Sequence, residues 1–429
     1  MAASAYAPID GSHHFADLGM RIRLSALMFL QYAVMGSWVP LFTLILKERG
    51  FTPVETGWAC ATGALGALVA PLPWGQIADR WLAAQRCISI CAFLCGMFLW
   101  MLSELTTPWP VFLVTLGFWF FMTPALSLGN SLTFRHLPAP DRQFGPVRMW
   151  GTIGWMAANL FLGCWFADSE FLCACLAYVR PAHSASELAD AFRLGGTLAF
   201  ILSLFALTLP NTPSSLPRAG IAKAHARSWL WSAFDAPLLT LRLFRQRAFL
   251  VFCVCLTGLY IAFPCSTQLT PLLLGELGVP RAWLPATLTI AQASEVAALW
   301  LLPVVLRSLS LKATLLLGMA AWTIALTVLA IGEPVWLVIA SLGLHGVFIS
   351  CFLVAGQIFV NQRAQKDIRT SAQAMLQFLN GMGLLAGNLL VGWVRSLDGE
   401  RFTSPFALAA ALAGTLCVVF LLSFRTKLI

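Results

Sequence analysis

Apolar runs of the length that crosses a bilayer recur at twelve places along this chain, beginning near Leu24, Thr56, Cys87, Trp109, Val147, Phe192, Ala248, Trp283, Leu311, Val335, Ser371 and Pro405. About 20 apolar residues wound as a helix match the ~30 Å hydrocarbon core of a membrane. Unclosed strands would leave backbone N–H and C=O groups without partners in lipid, so helices are what these runs dictate. Hydrophobic residues make up 59% of the chain and charged residues 10%, where a soluble domain carries about 25% charged. The expected fold class is an all-α membrane protein with twelve transmembrane helices.

The charges report topology. Of 27 Lys and Arg, 20 fall on one set of alternate connections and 7 on the other. The rich set holds Arg21 and Arg23, Arg80 and Arg86, Arg135, Arg142 and Arg148, the stretch Arg218 to Arg247, Arg307 and Lys312, Arg363 to Arg369, and Arg425 with Lys427. Under the positive-inside rule that set is cytoplasmic, which places both termini inside. The net charge of +9 is spread by topology and not gathered into a patch, so membrane lipid and not nucleic acid is the expected partner. Residues 1 to 21 lack the features of a signal peptide, and the first span is expected to act as an uncleaved anchor.

The twelve cysteines are scattered, mostly within spans, and show no metal-type spacing. Cys173 and Cys175 are too close in sequence for an easy mutual bridge. No metal, no cofactor and no enzymatic activity is expected, because no nucleophile–base–orienter set or phosphate loop is visible.

The longest polar cytoplasmic stretch runs from Asn211 to about Arg247 and divides the spans six and six. The expected organisation is a tail over 1–22, a six-helix bundle over 23–210, a linker over 211–247, a second six-helix bundle over 248–424 and a tail over 425–429. Two such bundles resemble the major facilitator fold, in which substrate binds near the midplane between halves that rock against each other. Between spans two and three, Gly75, Asp79 and Arg80, followed by Arg86, resemble the facilitator signature that latches the halves on the cytoplasmic side. The same cluster also suits an ordinary solvated turn.

Within the spans, polar groups are few. Glu295 is the one acidic residue of the chain inside an apolar run. It lies about 18 Å from either end of its helix, near the membrane midplane, where a charge costs roughly 2.5 to 3.5 kcal/mol. Such a group reads as functional, against the alternative of a protonated carboxyl bonded to a neighbouring helix. Gln292, three residues earlier, shares its face and either reads substrate or joins helices. In the fifth span Arg148, Thr152 and Trp155 fall on one face, although Arg148 also suits a snorkelling arginine with Trp155 facing lipid. In the tenth, His345 and Ile349 share a face beside Ser350, and a packed core histidine is the alternative there. Gln31 and Trp38, Asn130, and Gln373, Gln377 and Asn380 are left between lining a pathway and joining helices.

Several strings together resemble the nucleoside:proton symporter family of facilitators. They are Phe29-Leu30-Gln31 with Gly36-Ser37-Trp38, Pro124 with Asn130, Arg148 through Gly154, Leu207 through Pro210, Gln292 with Ser294-Glu295, Gly356 through Val360, and Arg369 through Gln373. The resemblance implies that Arg148, Thr152, Trp155, Gln292 and Glu295 contact nucleoside, with His345 and Ile349 as further candidates in the tenth span. Trp155 stands where the family usually has Phe, which keeps a surface for stacking a base. The family's acidic residue in the tenth span is replaced by Ser350, which leaves Glu295 alone, Glu295 assisted by His345, or no group at all to couple protons. The family's two amides in the seventh span align with Ala262 and Cys265, so the pocket is expected to have lost amides, although Thr267 and Gln268 lie just beyond.

The expected function is a secondary active transporter that imports nucleosides or nucleoside-like solutes with protons by alternating access, acting as a monomer in a bacterial inner membrane. Two alternatives stand beside it. One is a facilitator-type permease for a sugar, nucleobase or aromatic compound with weak or no proton coupling, and the other is a non-transporting membrane sensor.

Overall fold

The computed structural model describes residues 11–70, 74, 82–137, 140–167, 187–211, 242–363 and 369–424. These residues form twelve successive helical rods. The first half contains Gly11–Trp38, continued by Phe42–Glu48, then Pro53–Val69, Ala84–Glu104, Pro108–His136, Pro140–Phe166 and Asp190–Ala206. The second contains Arg247–Glu276, Leu284–Ser308, Leu311–Ile331, a composite tenth rod from Val335 to Arg363, Arg369–Leu397 and Thr403–Ser423. Among the described residues, nine rods are long and apolar enough to span a membrane by length and composition alone. Of the other three, the second and sixth are 17 residues long, and the fifth carries Arg148 and Asn159 in its apolar stretch.

Local chemistry explains the ends and breaks. The second span opens on a capping box, in which the Thr52 hydroxyl accepts from the Glu55 N–H and the Glu55 carboxylate accepts from the Thr52 N–H. The first span tightens to a 3-10 turn over Val39–Leu41, where Pro40 has no N–H to continue the α-helical ladder. The tenth widens to a π turn over Ile349–Val354, a local insertion that sequence periodicity does not reveal.

The two large clusters of buried apolar side chains form the cores, one from Leu24 to Leu209 and one from Leu243 to Phe424. Trp38 anchors the first, with Phe42 and Phe118 edge-on at 5.0 and 5.1 Å between ring centroids. In the second, Trp322 stacks on Phe348 at 4.6 Å. Each such pair adds about 0.5–1.5 kcal/mol beyond its buried area. The outward surface is apolar as well, with Leu204, Trp300 and Leu422 largely exposed, as lipid contact requires.

The halves meet through ion pairs at the end of the bundle farthest from the described chain ends. Lys47 pairs with Glu276 at 2.9 Å, and Glu48 pairs with Arg281. Beside them, within the first half, Arg193 bridges Asp190 at 2.9 Å and Glu104 at 2.7 Å, while the Trp165 indole donates to Asp190. Of the expected latch, Gly75, Asp79 and Arg80 lie outside the described residues, and Arg86 is exposed at the start of the third span. Most of the expected linker also lies outside them.

Candidate transport cavity

A cavity of about 470 Å³ lies between the two halves, within the range of small-molecule sites. Trp38, Trp119 and Trp155 line it from the first half, and Phe263, Gln268, Gln292, His345 and Asn388 line it from the second. Its walls are therefore mainly apolar, with three indoles on the side of the first half and three amides facing them from the second.

Close backbone approach fixes the position of several of these groups. A Cβ on Gly36 would lie 2.5 Å from the Trp155 Cα, so only glycine lets the first span press against the fifth and set its indole toward the cavity. A Cβ on Gly346 would overlap the Ser294–Glu295 peptide. The Gly346 N–H donates to the Ser294 hydroxyl at 3.1 Å, which locks the tenth span to the eighth beside Glu295.

The sequence candidates fall into three groups. Trp155, Gln292 and His345 line the cavity. Arg148, Thr152 and Glu295 are half-buried and stand about one to two turns from Trp155 and Gln292, toward the end of the bundle where the chain begins. Arg148 is not free to snorkel, because its guanidinium lies 3.9 Å over the Tyr32 ring, a cation–π contact worth about 0.5–2 kcal/mol. Arg148 is also the charge that acts on the Glu295 carboxyl, and both act on the Tyr32 hydroxyl. No direct ion pair joins Arg148 and Glu295 among the described residues, so a guanidinium, a phenol and a carboxyl share one electrostatic neighbourhood without neutralising each other by contact.

Ile349 forms the third group. It packs against the second core and does not line the cavity. The π turn begins at Ile349, so the 3.6-residue spacing that put it on the face of His345 stops applying there. His345 belongs to both of its readings, since it lines the cavity and also packs against Trp322 and Phe263 at 5.6 and 5.8 Å. Ser350, at the family's acidic position, is fully buried and bonded to the Val347 carbonyl at 3.4 Å.

The expectation of lost amides is corrected. Ala262 and Cys265 are buried and border a separate small void beside Leu390 and Pro405, with the Cys265 thiol directed at the Pro405 carbonyl. The face of the seventh span that meets the cavity carries Phe263, Ser266, Thr267 and Gln268. Gln268 meets Asn388 of the eleventh span, so two amides remain in the wall. Asn388, Trp119 and Tyr32 had no motif to single them out, although an asparagine inside an apolar run is itself a polar signal. Of the groups left open, Gln31 joins helices through a bond to the Ala125 carbonyl at 2.7 Å, and Gln373 joins the tenth and eleventh spans through the Gln357 carbonyl.

This arrangement has relatives. A family model described as nucleoside H+ symporter matches residues 18–428. The chain is 27% identical to the xanthosine permease of Escherichia coli strain K12 over 435 residues, covering 95% of this chain and 96% of that protein. It is 26% identical to the nucleoside permease NupG of the same organism over 432 residues, covering 96% and 97%. The crystal structure of NupG superposes with a TM-score of 0.78 at 23% identity, covering 95% of this chain and 100% of that one. A D-xylose–proton symporter shares the fold with a TM-score of 0.68 at 12% identity, covering 96% and 98%. The bundle is thus of the major facilitator type, and with nearly its whole length matched, the chain belongs to the nucleoside:proton symporter family.

Proposed function

We propose that this protein is a secondary active transporter that imports nucleosides, or close analogues of them, together with protons by alternating access. The observation that carries the reading is one cavity, lined by indoles from the first half and amides from the second, with Glu295 and Arg148 one to two turns away and unpaired with each other. A flat base gains from stacking on Trp155, and the amides at the same depth suit its edge. A carboxyl and a guanidinium nearer the other end of the bundle suit ribose hydroxyls, which both donate and accept.

In the proposed cycle both termini are cytoplasmic, the membrane is a bacterial inner membrane and the protein acts as a monomer. The ion-paired end bearing Lys47 and Glu276 is then the outer gate, closed in this conformation. With the gate open, a proton on Glu295 removes the cost of a bare charge near the midplane, and substrate enters against Trp155 and Gln292. Rocking of the halves closes the outer pairs and opens the cytoplasmic side, where Gly75, Asp79, Arg80 and Arg86 serve as the opposing latch. Loss of the proton and release of substrate complete import. His345 assists as a positioning group from the second half.

Uptake of labelled uridine and adenosine into proteoliposomes under an acid-outside gradient tests this. Wild type should concentrate both. Glu295→Gln should still exchange nucleoside but show no response to the gradient, and a gradient response that survives the change would remove the proton role from this residue.

A further inference from the structure

The amide of Gln268 has a fixed direction, and the reason lies one helix away. The Asn388 Nδ2 donates to the Leu384 carbonyl at 2.7 Å. A backbone carbonyl only accepts, so this bond decides which end of the Asn388 amide is the N–H end. The Asn388 oxygen is left facing Gln268, whose Nε2 donates to it at 2.5 Å and to the Asn388 backbone carbonyl at 3.5 Å. The N–H end of the Gln268 amide is thereby turned toward Asn388. The Gln268 carbonyl oxygen meets no donor among the described residues, in a residue that is 3% exposed and lines the cavity. Gln268 and Gln292 each lie eight residues from the same end of the bundle, at Glu276 and Leu284, so Gln268 is level with the part of the substrate assigned to the base.

We infer that Gln268 is a specificity-determining residue that selects bases carrying a hydrogen-bond donor on the edge, such as a ring N–H or an exocyclic amine, and that Asn388 positions it. The inference rests on the nucleoside reading above. An acceptor of fixed polarity that opens on the cavity discriminates once substrate fills the site, because a base edge bearing only acceptors then leaves the Gln268 carbonyl unpaired. Were the amide free to turn, it would serve either polarity and select neither.

The experiment is competition for uptake in proteoliposomes. Uridine and inosine carry ring N–H donors, whereas zebularine and nebularine, the ribosides of pyrimidin-2-one and purine, carry no donor on that edge and add no bulk. Wild type should prefer the donor-bearing member of each pair by about tenfold or more. Gln268→Met, close in volume, should bring that ratio near one. Asn388→Leu should do the same by freeing the Gln268 amide, whereas Asn388→Asp, which still accepts from Gln268, should keep the preference. None of the three should alter the preference for uridine over 2′-deoxyuridine, which a merely structural defect would disturb equally. Equal uptake of uridine and zebularine by wild type, or a ratio unmoved by Gln268→Met, overturns the inference and leaves the transport reading standing. Failure of wild type to take up any nucleoside removes the reading and the inference together.

Discussion

Reversing one charge at the Lys47–Glu276 pair should shift the balance between the two open states of the transporter, and the size of the shift follows from exposure. The side chains of the pair are 42% and 53% exposed, and those of Arg281 and Glu48 are 59% and 22% exposed. Exposed pairs contribute about 0.2–1 kcal/mol each, far below the contribution of the apolar cores. In the proposed cycle these pairs break when that end opens, so their free energy acts on the equilibrium between the two states. Glu276→Lys replaces an attraction with a repulsion of similar size, a change of about 0.5–2 kcal/mol against the closed end. That corresponds to a roughly 2- to 30-fold change in the population ratio.

Cys60 lines the cavity and serves as the probe, with labelling by a membrane-impermeant maleimide read by peptide mass spectrometry. Glu276→Lys should speed its labelling from the outer face by the same roughly 2- to 30-fold factor. The exchange Lys47→Glu with Glu276→Lys should return the rate toward wild type. Raising ionic strength toward about 1 M, where the Debye length is about 3 Å, should shrink the difference between wild type and the single variant. Unchanged labelling in Glu276→Lys, or a double exchange no closer to wild type than the single, would refute the reasoning.

Other predictions follow from the cores and the site. Gly346→Ala should lower the melting temperature and uptake together, since the added methyl meets backbone and not a movable side chain, at a cost of about 1–3 kcal/mol; Ser294→Ala, which removes only the bond from the Gly346 N–H, should cost about 1 kcal/mol. Trp155→Phe should keep nucleoside affinity in a tryptophan-quenching or competition assay, whereas Trp155→Leu should weaken it by about 2- to 10-fold through lost stacking. Arg193→Ala leaves the Asp190 carboxylate, 8% exposed, with the Trp165 indole as its remaining side-chain partner, and should destabilise the detergent-solubilised protein by about 3–5 kcal/mol. Arg193→Ala with Asp190→Asn should recover part of that loss in the same thermal melt.

The helical class, the membrane setting and the family were legible in the sequence because each depends on local pattern. Apolar run length, the division of basic residues among connections and ordered strings such as Arg148 through Gly154 all survive without knowledge of contacts. That Glu295 stands alone as an acid in an apolar run was legible for the same reason, and such a group is costly wherever the run packs.

What surrounds Glu295 was decided only by tertiary structure. Tyr32 lies more than a hundred positions from Arg148, and only packing of the first span on the fifth brings them to 3.9 Å. The seventh span shows the limit most clearly. The family resemblance places its amide contacts at Ala262 and Cys265, with Thr267 and Gln268 just beyond, and packing turns the latter two to the cavity. In an apolar helix almost every face can meet lipid or protein, so composition does not specify rotation about the axis. A π turn, a glycine contact and an amide relay between distant helices do, and each of these is a relation between segments that no single segment encodes.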